Sequence, residues 1–127
     1  MTQVVPDGDF RFIALDVETS CGDSASICQI GLACVGRDHS ILTWSAFVDP
    51  VLPFSPFNVE LHGISAKTVQ GAPTFAQRWP DLQPLLTRHP LVQHSRFDEH
   101  AINAAHTLPA RPDLPVLRRP CNAKPPR

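Results

Sequence analysis

The sequence predicts a mixed α/β domain: a three-strand antiparallel meander, a helix, a fourth strand parallel to the first, and a closing helix. Three observations carry this prediction. Between residues 11 and 48 the apolar residues fall in short blocks rich in Ile, Val, Leu and Phe. The connections between these blocks are too short for a crossover, so successive strands must turn back on one another. From residue 73 onward the spacing becomes helical, with Phe75, Trp79, Leu82, Leu85 and Leu86 on one stripe.

Arg11 to Asp16 reads as the first strand, followed by a polar loop from Thr19 to Ser24 with Gly22 as its break. Ser26 to Val35 is the second strand, and Gly36-Arg37-Asp38-His39 supplies a turn into the third, Ile41 to Val48. Pro50, Pro53 and Pro56 mark Asp49 to Asn58 as loop, with Glu60 to Ile64 leading into a helical turn near Ser65–Val69. Pro73-Thr74 looks like a helix start, and Pro80 and Pro84 are expected to kink or divide the helix that follows. Pro90 to His94 is a short fourth strand and Phe97 to His106 a last helix. A strand reached through a helical crossover runs parallel to its partner. Trp44, Trp79 and the stripe from Phe75 to Leu86 are assigned to the core.

A chain of 127 residues, 43% hydrophobic, is sized for one packed domain. Its net charge of −1 hides an asymmetry: residues 1–107 carry 6 Lys and Arg against 11 Asp and Glu, residues 108–127 carry 5 against 1. The four cysteines (Cys21, Cys28, Cys34 and Cys121) form no C-x-x-C pair, which argues against zinc. No run approaches the roughly 20 apolar residues of a membrane span, and the start of the chain does not read as a signal peptide. A reduced, cytoplasmic protein without a membrane partner is the expectation.

The segment FIALDVETS, residues 12–20, ends an apolar strand on two acids. Burying ionised carboxylates is costly, so they belong at the rim of the sheet. Strand side chains alternate, which puts Asp16 and Glu18 on one face. If the fourth strand lies beside the first, Asp98 starts from the neighbouring strand end and three carboxylates converge. Like charges in such a cluster call for a cation, and hard divalent ions such as Mg²⁺ or Mn²⁺ prefer oxygen ligands.

In order along the chain, FIALDVETS, SICQIGLACV, FNVELHGIS, Pro73-Thr74-Phe75 and LVQHSRFDEHAI resemble motifs of the DEDD superfamily of 3′-5′ exonucleases, in the branch of the bacterial DNA polymerase III epsilon subunit. The resemblance covers residue 11 to about 106. It implies a ribonuclease-H-like sheet with flanking helices, truncated at its C-terminal end. It further implies that Asp16, Glu18 and Asp98 are catalytic metal ligands for two Mg²⁺ or Mn²⁺ ions. Thr19, His62, Gly63, Ile64 and Phe97 would contact the substrate. The expected substrate is a single-stranded DNA or RNA 3′ end, and a DNA polymerase subunit is a further expected partner.

The family's third motif, a histidine five residues ahead of a fourth acid, has no match after Asp98 in this sequence. A general base is worth roughly 10²–10⁴-fold in rate, so little nuclease activity is expected of these 127 residues. A non-catalytic remnant that binds nucleic acid or a polymerase is the alternative, and an unstable fragment the third. The division expected is a partial exonuclease-like domain over 1–107 and an irregular tail over 108–127. That tail holds prolines 109, 112, 115, 120, 125 and 126 and reads as a frame shift or cut, or as a basic arm for phosphates.

Overall fold

β1 (Phe10–Thr19) is the strand around which the chain is arranged. The computed structural model describes residues 4–93 and 96–105, and of 96–100 the backbone alone. β2 (Ile27–Gly36), β3 (Ile41–Phe47) and β4 (Leu91–Gln93) complete a sheet of order β3-β2-β1-β4. β1 runs antiparallel to β2 and parallel to β4, and β3 runs antiparallel to β2. This is the expected meander plus one parallel strand, the sheet that the resemblance implies.

The period-two pattern decides which face is buried. Ile13, Leu15 and Val17 of β1, Ile30, Leu32 and Cys34 of β2 and Trp44 of β3 form one apolar layer. Helix α2 (Phe75–Thr87) covers it with Phe75, Leu82, Leu85 and Leu86, and α3 (Arg96–Ala105) adds Ala101, Ile102 and Ala105. The other face pairs Glu18 with Gln29 and Phe47, and Asp16 with Gly31 and Ser45, in successive rows across the strands.

Two local expectations are corrected. α2 is one unbroken helix, although Pro80 and Pro84 lie inside it. Both prolines sit on its exposed side, four residues apart. There a carbonyl deprived of its helical partner remains open to water, and the apolar stripe is untouched. Thr74 also starts the helix firmly, accepting from Gln77 N–H at 3.2 Å while its own N–H donates to Gln77 Oε1 at 2.9 Å.

The proline-rich segment ends earlier than expected, in α1 (Pro56–His62). Ser55 is its N-cap and Pro56 takes the first turn, where a missing N–H costs nothing. Gly63, at φ 76°, ends it in the left-handed conformation. Residues 65–70 form hydrogen-bonded turns and no helix. Cys28 and Cys34 are buried free thiols. Among the described residues no helix is long and apolar enough to cross a membrane.

Leu82, 0% exposed between α2 and the sheet, should be the more sensitive of two leucines to truncation. Leu82→Ala is expected to lower the unfolding free energy by about 2–5 kcal/mol. Leu61→Ala, on the exposed side of α1, should stay within about 0.5 kcal/mol in the same urea titration.

Candidate active site

Asp16 is exposed and Glu18 half-buried, both on the face of β1 away from the helices. Asp16 lies opposite Gly31. A Cβ on Gly31 would meet only the Asp16 carbonyl oxygen, at 4.0 Å, so nothing in the local packing fills the space beside the carboxylate. Ala14, Ala33, Thr43 and Ser45 continue this shallow cleft across the sheet. Asp16 is therefore flanked by small side chains on an accessible surface.

The chain reaches the same rim a second time through β4. Leu91, Val92 and Gln93 pair with Ile13, Ala14 and Leu15, so β4 points along β1 toward Asp16. α3 begins at Arg96, and Asp98 is its third residue. Topology thus brings the backbone bearing Asp98 to the strand end that bears Asp16 and Glu18. The side chains of Phe97 and Asp98 lie outside the described residues. Among the described residues no three His, Cys, Asp or Glu side chains form a group able to hold a metal ion. The two β1 carboxylates, hard oxygen donors on one face beside open space, suit a divalent cation as part of a ligand set.

Beyond Glu18 the strand is irregular. Glu18 pairs with Gln29 but Thr19 pairs with Ile27, so Cys28 is an extra residue in β2. The bulge turns Cys28 away from the main core into a second cluster with Ile64 and Val69, supported by Phe54 and Ala72. The loop after α1 thereby packs beneath the acidic rim.

Several hydrogen bonds fix the chain at this point. The Thr19 carbonyl accepts from Asn58 Nδ2 at 3.0 Å and bonds His62 Nε2 at 2.8 Å. His62 Nδ1 accepts the Ile64 N–H at 3.0 Å, so Nε2 carries the ring proton and donates to Thr19. Asn58 Oδ1 accepts from the Ser55 hydroxyl at 2.7 Å. Ser20 N–H donates to Ser26 O, Ser55 N–H to Ser20 O, and Ser20 Oγ to Pro53 O.

Of the residues singled out in the sequence, Asp16, Glu18, Thr19, His62, Gly63 and Ile64 gather at this end of the sheet. Both His62 ring nitrogens are engaged within the chain, Ile64 is buried in the second cluster, and Gly63 is the turn that joins them. Asn58 and Ser20 were not anticipated. Ser55-Pro56 was the signal that could have revealed the helix carrying Asn58, since a capping serine before proline marks a helix start.

The Exonuclease family model (RNase T type) matches residues 13–110. The chain belongs to this family, among the DEDD 3′-5′ exonucleases. It is 31% identical over 113 residues to a DNA polymerase III PolC-type of Streptococcus mutans, covering 86% of this chain and 7% of that protein. A PolC-type polymerase of Streptococcus pyogenes is 32% identical over the same length and coverage. The chain thus spans about 7% of the length of these curated relatives. Among solved structures it is similar to exonuclease X in complex with 5′ overhanging duplex DNA. The TM-score is 0.50 at 24% identity, over 65% of this chain and 54% of that one, a likeness of fold.

The Cys28 thiol reports on its acidic neighbour. Burial, and next the Glu18 carboxylate, push its pKa from 9.0 up to about 12. With the folded value above the unfolded one, the neutral thiol's contribution to stability is complete below pH 9.0 and is lost as pH rises toward 12. Unfolding free energy should therefore decline over that window, with a shallower decline in Cys28→Ala. In Glu18→Gln, iodoacetamide labelling of Cys28 followed by mass spectrometry should begin at lower pH than in the parent.

Proposed function

We infer that this chain is a metal-dependent 3′-5′ exonuclease module acting on single-stranded DNA or RNA ends, with Asp16, Glu18 and Asp98 as the ligands of divalent ions. The observation that carries this reading is the placement of Asp16 and Glu18 on one accessible face, at the rim to which β4 delivers the start of α3. Residues 1–107 carry an excess of acids. A surface of that sign repels a phosphodiester backbone unless cations intervene, which favours metal dependence.

Mg²⁺ or Mn²⁺ bound there would supply the Lewis acid that polarises the scissile phosphate and an acidified water. Asp16, exposed beside Gly31, offers the carboxylate that faces the substrate. Glu18, half-buried above the bulge, offers the more constrained one. Small residues at 14, 31 and 33 leave room for a nucleotide strand. Gly63, Ile64 and Phe97 form the expected surroundings of the terminal nucleotide. Thr19 and His62 are already committed to each other, so any contact of His62 with a nucleotide would involve its carbon edge. The PolC-type relatives and the DNA-bound exonuclease X favour nucleic acid as substrate and a DNA polymerase as partner.

A second reading is binding without cleavage. A 5′-labelled single-stranded oligonucleotide distinguishes the two. Stepwise, Mg²⁺- or Mn²⁺-dependent shortening from the 3′ end is expected. It should be abolished by EDTA and by Asp16→Asn. Metal-dependent retention of the oligonucleotide without shortening would leave the binding reading in place, and neither behaviour would sink both.

A further inference from the structure

The Thr19 carbonyl accepts from two side chains, Asn58 and His62, which reach it from 39 and 43 residues along the chain. Asn58 is 4% exposed, and burying a carboxamide is unfavourable unless its bonds are well made. Both ends of that carboxamide are used, one on Ser55 and one on Thr19. His62 likewise uses both ring nitrogens. The chain thus commits one buried and one half-buried polar side chain to a single carbonyl, directly after Glu18 and opposite the bulge in β2.

A bulge is where strand register is least secure, because one residue has no opposite number. A one-residue slip reverses the facing of every side chain beyond it. Glu18 is the last regularly paired residue before the break, so a bulge displaced by one residue toward the middle of β1 would take in Glu18 and turn it from the face it shares with Asp16. We propose that Asn58 and His62 are positioning residues: by gripping the Thr19 carbonyl they hold the bulge in register and keep the Glu18 carboxylate on the same face as Asp16. This rests on the reading of Glu18 as a metal ligand. It gives His62 a task other than nucleotide contact and requires its neutral, Nε2-protonated form.

The alternative is that His62 only secures the turn through the Ile64 N–H. Two substitutions separate the roles. In His62→Gln the side-chain amide can reach as Nε2 does and keep the bond to Thr19. In His62→Asn it can reach as Nδ1 does and keep the bond from Ile64. The full chain is titrated with Mn²⁺ by electron paramagnetic resonance. Amide hydrogen exchange at Ser20, whose N–H bonds Ser26 O, is followed by NMR in the same samples.

His62→Asn and Asn58→Ala should weaken Mn²⁺ binding by about tenfold or more and speed exchange at Ser20, with amides between β2 and β3 unaffected. His62→Gln should stay near the parent on both counts. Parental behaviour in His62→Asn, or loss in His62→Gln with retention in His62→Asn, would overturn the proposal. Glu18→Gln serves as the separate control. If it leaves Mn²⁺ affinity unchanged, the metal reading of Glu18 fails by itself. Exchange at Ser20 then decides alone whether Asn58 and His62 hold the strand end.

Discussion

Alternation along β1 is the constraint on which the rest depends. One strand carries Ile13, Leu15 and Val17 into the core and Asp16 and Glu18 onto the opposite face. The same period that gathers apolar side chains beneath α2 also pairs the two acids, so packing and site geometry share one cause. Flanking β1 by β2 and β4 fixes that alternation from both sides. Neither acid is buried with the apolar layer, and neither stands on a loose loop.

The sheet end beyond Glu18 is built differently from its middle. In the middle, the ladder between β1 and β2 is regular from Phe12 to Glu18. At the bulge, side chains from α1 supply bonds to the strand end, and the second apolar cluster around Cys28 supplies the packing. Backbone carbonyls that fall out of a regular ladder still need donors. Here the donors come from a helix that a proline-rich loop delivers, so the connection after β3 contributes to the rim.

What was legible in the sequence follows from this division. β1, β2, β3 and the parallel β4 were readable because block length, alternation and connection length each depend on neighbouring residues. Asp16 and Glu18 stood out because they break an apolar pattern. The bulge at Cys28 was not readable, since a single extra residue becomes visible only against its partner strand. α1 was obscured by Pro50, Pro53 and Pro56, although the last of these is a helix-starting proline behind Ser55. The bond from Asn58 to Thr19 joins residues 39 apart, and nothing local announces it. That Pro80 and Pro84 do not divide α2 follows from the side of the helix they occupy, which a count of prolines does not show.

Those prolines bear on how the helix comes into being. Pro80 and Pro84 each remove one internal N–H from α2. With those links gone, a thirteen-residue segment, already near the length at which isolated helices are marginal, has little tendency to coil in water by itself. Leu82, Leu85 and Leu86 must find the apolar layer of the sheet for the turns to persist. The persistence of α2 is therefore tied to the strand surface it covers.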